Sequence, residues 1–198
     1  MTLRPRRALD VGTGSGRYLQ ILARTDAVRV VGVDFSMAML RRAKVAQPFR
    51  AAEPAGLKPC ATHLAGADAR RLPFARRSFD LVNASLTVGD VVDLQAWTAE
   101  MARVLGRGGH LVYSDFHPSW TQHGWIRTFR DRDGETHELT FAAHSIEDHL
   151  AALDAAGLRP AAIREPRFRD DSDPAVTAFR RRWRNPPVVV VFHAVKQP

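Results

Sequence analysis

The sequence has a single cysteine, Cys60. That excludes an intramolecular disulfide and any cysteine-rich metal site, and it fits a reducing cytoplasm. Long apolar runs are also missing. The longest, Val188 to Phe192, falls far short of the roughly 20 residues a membrane-spanning helix needs. The basic start, Met1 to Arg7, is followed by Asp10 and a glycine cluster rather than an apolar stretch, which argues against a secretory signal. No internal repeat, low-complexity tract or linker interrupts the chain. Its 198 residues therefore read as one domain spanning 1–198, large enough for one substantial core.

Hydrophobic residues make up 45% and charged residues 25%, the balance of an ordinary globular chain rather than a disordered one. The net charge is +8, from 29 Lys+Arg against 21 Asp+Glu. Such an excess fits a nucleic-acid partner or an acidic substrate, but the arginines are dispersed and mostly lack interleaved aromatics. Only Arg180 to Arg184 is a tight cluster, with Phe179 and Trp183 beside it. A solvated basic surface is the favoured reading, with RNA as the alternative.

Strand and helix patterns alternate from the start. Ala8 to Val11 and Val28 to Val33 are short apolar runs that read as buried strands. Between them Tyr18, Leu19, Ile21 and Leu22 recur at helical spacing. Ser36 is a good N-cap for a helix whose face is Met37, Leu40 and Ala43. Pro48 to Pro59 reads as a loop. Thr62 to Ala65, Phe79 to Ala84 and His110 to Ser114 are three further strands. Leu94, Trp97, Met101 and Leu105 mark a helix closed by Gly106. Ser145 and Asp148 form a capping box for a helix ending at Gly157. Leu158 to Arg164 and Pro187 to Val195 are the last two strands, and the polar stretch Arg167 to Asn185 between them carries no clear long helix. The expected fold is α/β: a doubly wound, Rossmann-like, seven-stranded, mostly parallel sheet with an antiparallel last strand and helices on both faces. An insert at about 116–143 is too long for an ordinary connection, and its Trp120, Trp125 and Phe129 make it a candidate lid over an apolar pocket.

The strongest local signal is Asp10-Val-Gly12-Thr13-Gly14-Ser-Gly16, directly after a strand and before a helix. Glycine lets the backbone turn tightly and approach a ligand. At the carboxyl edge of an open α/β sheet this is where ligands bind. Asp34 ends the second strand about 20 residues further on, where an acid takes ribose hydroxyls; the plain alternative is a cap for the helix near Ser36. Strand, glycines, helix, strand and acid in that order read as an adenosine site. A dinucleotide fingerprint requires a small third residue, and that position falls on Arg17, which argues against an NAD-dependent oxidoreductase.

At this point the chain resembles the class I methyltransferases that use S-adenosylmethionine (SAM), closest to the small-molecule branch. Asp10 to Gly16 is similar to that family's first motif, and Val30-Val-Gly-Val-Asp34-Phe35-Ser to its acidic loop. Gly66-Ala67-Asp68-Ala69-Arg-Arg-Leu72-Pro73-Phe74, Ser78 to Ala84 and Ala102 to Leu111 resemble the three segments that follow. The resemblance runs from Ala8 to about Asp115. It implies SAM as cofactor, with the methionine carboxylate near Gly12, Thr13, Gly14 and Gly16, and the ammonium near Asp10 or carbonyls around Asn83 and Ala84. It further implies the ribose on Asp34, Phe35 or Met39 against the adenine, and Asp68, between Ala67 and Ala69, accepting from the adenine amino group. It implies methyl transfer to the oxygen, nitrogen or carbon of a small molecule by a cytoplasmic monomer or homodimer, with no membrane partner and no metal. A non-catalytic SAM-binding regulatory or assembly subunit is a second alternative.

Two departures from the family are visible. Few residues precede the first motif, where the family usually has a leader helix, so either the gene start is truncated or the lid is built elsewhere. The fourth strand ends in Ser85-Leu-Thr-Val-Gly89-Asp90 without the usual histidines. Any base, needed only if the acceptor must lose a proton, is then sought among Asp115, His117, His123 and His144; His117 is the choice, because it follows the fifth strand and histidine titrates near neutrality.

Overall fold

A computed structural model describes residues 4–25, 27, 29–45, 61–122, 124–169 and 174–198. The loop Pro48 to Pro59 and His123 lie outside the described residues. Seven strands form one sheet: β1 (Arg7–Val11), β2 (Arg29–Asp34), β3 (Ala61–Gly66), β4 (Phe79–Ser85), β5 (Leu105–Phe116), β8 (Leu158–Arg164) and β9 (Val189–Lys196). Their spatial order is β3-β2-β1-β4-β5-β9-β8. The first five are parallel, whereas β9 runs antiparallel to both β5 and β8. The chain thus reverses its winding between β2 and β4, on either side of β1, and this switch point opens a crevice beyond the strand ends.

The central strands are apolar on both faces because both are covered by helices. Leu19 and Leu22 of α1 (Arg17–Ala23) meet Ala8, Val30 and Leu81 on one face. On the same side, α2 (Met37–Val45) buries Leu40 and Ala43, while Met37 is exposed rather than part of the inward face. Leu94, Trp97 and Met101 of α3 (Leu94–Val104), with Ala152 and Leu153 of α5 (Ile146–Ala155), cover Leu9, Val11, Val82 and Leu111 on the other face. Asp93 caps α3 by accepting from the Ala96 N–H at 2.8 Å, a contact of the kind worth about 1 kcal/mol. The Ser145–Asp148 capping box is present at the start of α5.

Two further sequence expectations are corrected. Gly106 does not close α3. The helix ends at Val104 and Leu105 is already extended, so β5 begins there. The glycines instead shape a bend: Gly108 has φ +68°, and a Cβ on Gly109 would lie 2.8 Å from the Gly106 carbonyl oxygen. The polar stretch before β9 does contain a helix, α6 (Pro174–Trp183). Its arginines hide the apolar period from a sequence reading.

The 116–143 insert holds α4 (Ser119–Gln122) and an antiparallel hairpin of β6 (Arg127–Arg130) and β7 (Thr136–Leu139), separate from the main sheet. Among the described residues no helix is long and apolar enough to cross a membrane.

Candidate active site

The loop after β1 is built on alternate left-handed residues: Gly12, Gly14 and Gly16 have φ of +68°, +54° and +89°. Side chains other than glycine's pay for that conformation, which is the physical reason for the alternating glycines. Backbone bonds fix its shape, with the Thr13 N–H donating to the Val33 carbonyl at 2.9 Å and the Gly16 N–H to the Thr13 carbonyl at 2.8 Å. Close approach adds a second constraint. A Cβ on Gly12 would lie 2.2 Å from Thr87 Oγ1, which itself donates to the Val11 carbonyl at 3.2 Å. A Cβ on Gly14 would come within 3.4 Å of the Met39 methyl.

Beneath the loop lies Asp10, only 1% exposed. Sheet register sets it beside Asn83. Thr13 Oγ1 donates to one carboxylate oxygen at 2.6 Å, and Asn83 Nδ2 to the other at 2.7 Å. Burial pushes its pKa up, the two hydrogen bonds oppose this, and the Asp34 charge adds to the rise. Asp10 thereby ties the glycine loop to β4. Ala84 next to Asn83 is wholly buried in the core, so any cofactor contact there is through its backbone.

Asp34 stands at the tip of β2 across from the loop. One oxygen accepts from the Gly14 N–H and the other from the Ser36 N–H, both at 2.8 Å. Ser36 in turn accepts from the Met39 N–H at 3.3 Å. The carboxylate therefore bridges loop and helix entry while its remaining lone pairs stay available. Phe35 beside it is 84% exposed, an uncovered aromatic face at the crevice. The Ala67 N–H donates to the Asp34 carbonyl at 3.1 Å, bringing the β3 tip alongside. Asp68 is engaged by its own neighbour: Arg70 donates to it through its backbone at 2.8 Å and through its guanidinium at 3.1 and 2.7 Å. That pairing holds the carboxyl below its ordinary range, and Ala69 packs on the core. The glycine cradle, the bridging acid and the exposed ring fit an adenosine ligand with a charged tail.

The second half of the site is at the end of β5. Asp115 is 4% exposed. Its Oδ1 accepts from the Phe116 N–H at 2.8 Å and lies 3.0 Å from where a Cβ on Gly89 would sit. Burial raises its pKa to about 6, and nearby Asp90 adds to the rise. His117 has both ring nitrogens occupied, Nδ1 at 2.7 Å from Ser119 Oγ and Nε2 at 2.8 Å from Glu165 Oε1. The Ser119 N–H also donates to Nδ1, so Nε2 carries the proton toward Glu165. His144 Nε2 lies 2.8 Å from the Val91 carbonyl oxygen. The insert is clamped onto the single 3₁₀ turn Val88–Asp90: the Ala142 N–H donates to the Gly89 carbonyl at 2.7 Å, and Arg127 Nη1 to Asp90 Oδ1 at 2.6 Å. Its aromatics form a chain, with ring centroids 5.1 Å apart for Phe116–Trp125, 6.0 Å for Trp120–Trp125 and 5.8 Å for Trp125–Phe141.

Three participants escape a reading of the motifs. Thr87 roofs Gly12 from a loop with no motif of its own. Tyr113 and His149 line up behind Asp115. A usable signal existed for both: Tyr113 and Asp115 are two apart on a strand and share a face, and His149 falls on the apolar period of a capped helix with Ala152 and Leu153.

Comparison with known proteins agrees with this geometry. The family described as a methyltransferase domain matches residues 9–113, more than half of the chain, and the chain belongs to that family. It is 37% identical over 115 residues to the demethylmenaquinone methyltransferase of Deinococcus radiodurans, covering 58% of this chain and 44% of that protein. It is 39% identical over 106 residues to a phosphatidylethanolamine N-methyltransferase of Cereibacter sphaeroides, covering 54% and 48%. The chain thus spans about half the length of the curated relatives it matches. Among solved structures, an S-adenosylmethionine dependent methyltransferase from Mesorhizobium loti superposes with TM-score 0.70 at 22% identity over 96% of this chain and 90% of that one. A Listeria monocytogenes protein described as a putative one does so with TM-score 0.76 at 19% identity, covering 98% and 90%. These two likenesses establish the shared fold.

Proposed function

We propose that the chain binds SAM across the tips of β1 and β2 and transfers its methyl group to the oxygen, nitrogen or carbon of a small molecule held at the ends of β4 and β5. The observation that carries this reading is the coupling of the left-handed glycine loop to Asp34 through the 2.8 Å bond from the Gly14 N–H, within a chain of the methyltransferase-domain family. SAM supplies a methyl already activated on a sulfonium, so the protein's task is alignment rather than bond activation. Gly12 to Gly16 cradle the amino-acid tail, Asp10 and Asn83 hold that loop in place, and Asp34 accepts from the ribose. Phe35 and Met39 cover the adenine. Asp68 accepts from the adenine amino group after giving up one of its bonds to Arg70. The insert, through Trp120, Trp125 and Phe129, closes over the acceptor as a lid. His117, pinned between Ser119 and Glu165, anchors the lid's first turn.

The names of the relatives support a small acceptor, since demethylmenaquinone and phosphatidylethanolamine are the molecules they name. We place the protein in the cytoplasm as a monomer or homodimer; the single cysteine supports that compartment. The test is calorimetric titration with SAM. The wild type is expected to bind, and Asp34→Ala to lose at least about tenfold in affinity, the scale of one charge-assisted hydrogen bond. Equal affinity in the two proteins removes the ribose assignment.

A further inference from the structure

Three polar side chains stand in a row inside the apolar core behind the acceptor end of the crevice. Tyr113 and Asp115 project from the same face of β5, and His149 enters from α5. Tyr113 Oη is 3.3 Å from His149 Nδ1, and His149 Nε2 is 3.8 Å from Asp115 Oδ2. The three residues are 1%, 0% and 4% exposed in the order Tyr113, His149, Asp115. Their packing is largely aromatic, and the ionisable groups near them are Asp90 and His144 beside Asp115, and His144 and Asp148 beside His149, whose ring centroid lies 5.7 Å from that of His144. Tyr113 stacks on Phe192 at 4.9 Å between centroids and meets Trp97 edge-on at 5.1 Å, and His149 lies 4.7 Å from Phe192.

His149 Nε2 is buried without a hydrogen-bond partner. A core that needed only filling is better served by an apolar residue at 149, because an unpaired buried polar atom is costly. The arrangement makes sense as a support for the carboxylate. Burial holds Tyr113 as a neutral phenol and lowers His149 to about 4, so at neutral pH the ring has one proton. With the phenol donating to Nδ1, that proton is on Nε2 and faces Asp115. A closure of about 1 Å brings the pair into hydrogen-bond range.

On its other side Asp115 meets the ligand edge. Groups facing it there are the N–H groups of Gly89 and Phe116, the Asp90 carboxylate and the His144 ring. Above them lies the aromatic insert, clamped to the same turn through Ala142 and Arg127. A carboxylate under an aromatic cover suits a molecule with an apolar body and one acidic O–H.

We propose that Asp115 is the proton acceptor for a hydroxylic, apolar-bodied methyl acceptor, and that His149 and Tyr113 position it from the core side. This rests on the methyltransferase reading above. In the step, the acceptor's O–H bond breaks and its proton goes to an Asp115 oxygen. The freed electron pair, on oxygen or delocalised onto an attached ring carbon, forms the bond to the methyl carbon. The carbon–sulfur bond breaks with its pair going to sulfur, and the sulfonium becomes a neutral thioether. Positive charge on sulfur and negative charge on Asp115 are lost together. In the carbon case the ring C–H proton leaves afterwards to solvent.

The experiment is calorimetric titration of 1-naphthol, a phenol that stays neutral over the range used, into protein saturated with S-adenosylhomocysteine between pH 4.5 and 8. Affinity is expected to rise about tenfold as pH increases through about 6, because a hydrogen bond to an ionised carboxylate is the stronger one. Asp115→Asn should abolish that rise while leaving S-adenosylhomocysteine affinity within about twofold, since the change is isosteric and away from the cofactor tips. His149→Phe, an apolar core replacement, should move the midpoint upward. His149→Gln, which keeps a donor, should return it toward the wild type; a purely structural role for His149 moves the midpoint in neither. A flat wild-type profile, the same profile in Asp115→Asn, or no naphthol binding by protein that binds S-adenosylhomocysteine overturns the proposal. Failure of the wild type to bind S-adenosylhomocysteine is a different result: it removes the methyltransferase reading and this proposal with it.

Discussion

Replacing Gly12 by alanine tests the shape of the cofactor loop at its tightest point. The φ of +68° alone costs an alanine about 1–2 kcal/mol. The new methyl would sit 2.2 Å from Thr87 Oγ1 and 2.5 Å from Thr87 Cγ2, so Thr87 has to move. Moving it gives up the 3.2 Å bond to the Val11 carbonyl, worth about 1 kcal/mol. The sum is about 2–3 kcal/mol, which for a chain of this size lowers Tm by roughly 5–10 °C. Calorimetric melting measures it, and SAM titration on the same samples should show weakened binding. The double variant Gly12→Ala/Thr87→Ala separates the two causes. It should recover part of the loss, because removing Oγ1 and Cγ2 relieves the collision but not the backbone strain. A Gly12→Ala protein that melts within about 1 °C of the wild type, or a double variant with no coupling, shows that Gly12 is neither strained nor packed against Thr87.

Acid titration of stability should expose the buried pair. Asp115 is raised in the folded protein to about 6 from 3.8. The folded state therefore takes up that proton first, and this group adds stability as pH falls from about 7 to 4. His149 is lowered to about 4 from 6.5, so the unfolded state takes up its proton first and stability is lost over nearly the same window. Each effect is on the order of 3 kcal/mol and they oppose. Relative to wild type, Asp115→Asn should become more acid-sensitive between pH 7 and 4, and His149→Phe less; parallel curves for all three proteins contradict the pair. For the insert, Arg127→Ala removes a partly exposed ion pair worth at most about 1 kcal/mol and should barely change Tm. Hydrogen exchange of 124–143 should quicken, and protection of the same segment should rise on adding SAM and an acceptor; an insert indifferent to both is not a lid.

The fold was legible because its signals are local. Apolar residues at Ala8 to Val11, Val30 to Val33 and Phe79 to Ala84 lie in parallel strands of the core, and the Ser145–Asp148 box opens its helix. The misses have physical causes. Gly106 sits where a helix stop belongs, yet β5 needs those glycines for a close approach to the Phe79 and Asp80 carbonyls. Consecutive arginines conceal the short helix α6. At the candidate site, Asp10, Gly12, Gly14, Gly16 and Asp34 are brought together as their order along the chain suggests. Thr87, Tyr113 and His149 stand outside that order: they reach the candidate site through sheet register and helix packing, and the sequence offers only the shared face of Tyr113 and Asp115 and the place of His149 on an apolar helical period. His117 reads as a base from its position after β5, whereas its ring is engaged by Ser119 and by Glu165, a residue 48 positions away that no local motif links to it.

The most direct measurement is a crystal structure of the protein grown with S-adenosylhomocysteine. The thioether's adenosine is expected on the tips of β1 and β2, with its ribose hydroxyls on the Asp34 carboxylate and its amino-acid tail along Gly12 to Gly16. A crevice that stays filled by Thr87 and Met39, in a protein that takes up neither S-adenosylhomocysteine nor SAM in solution, contradicts it.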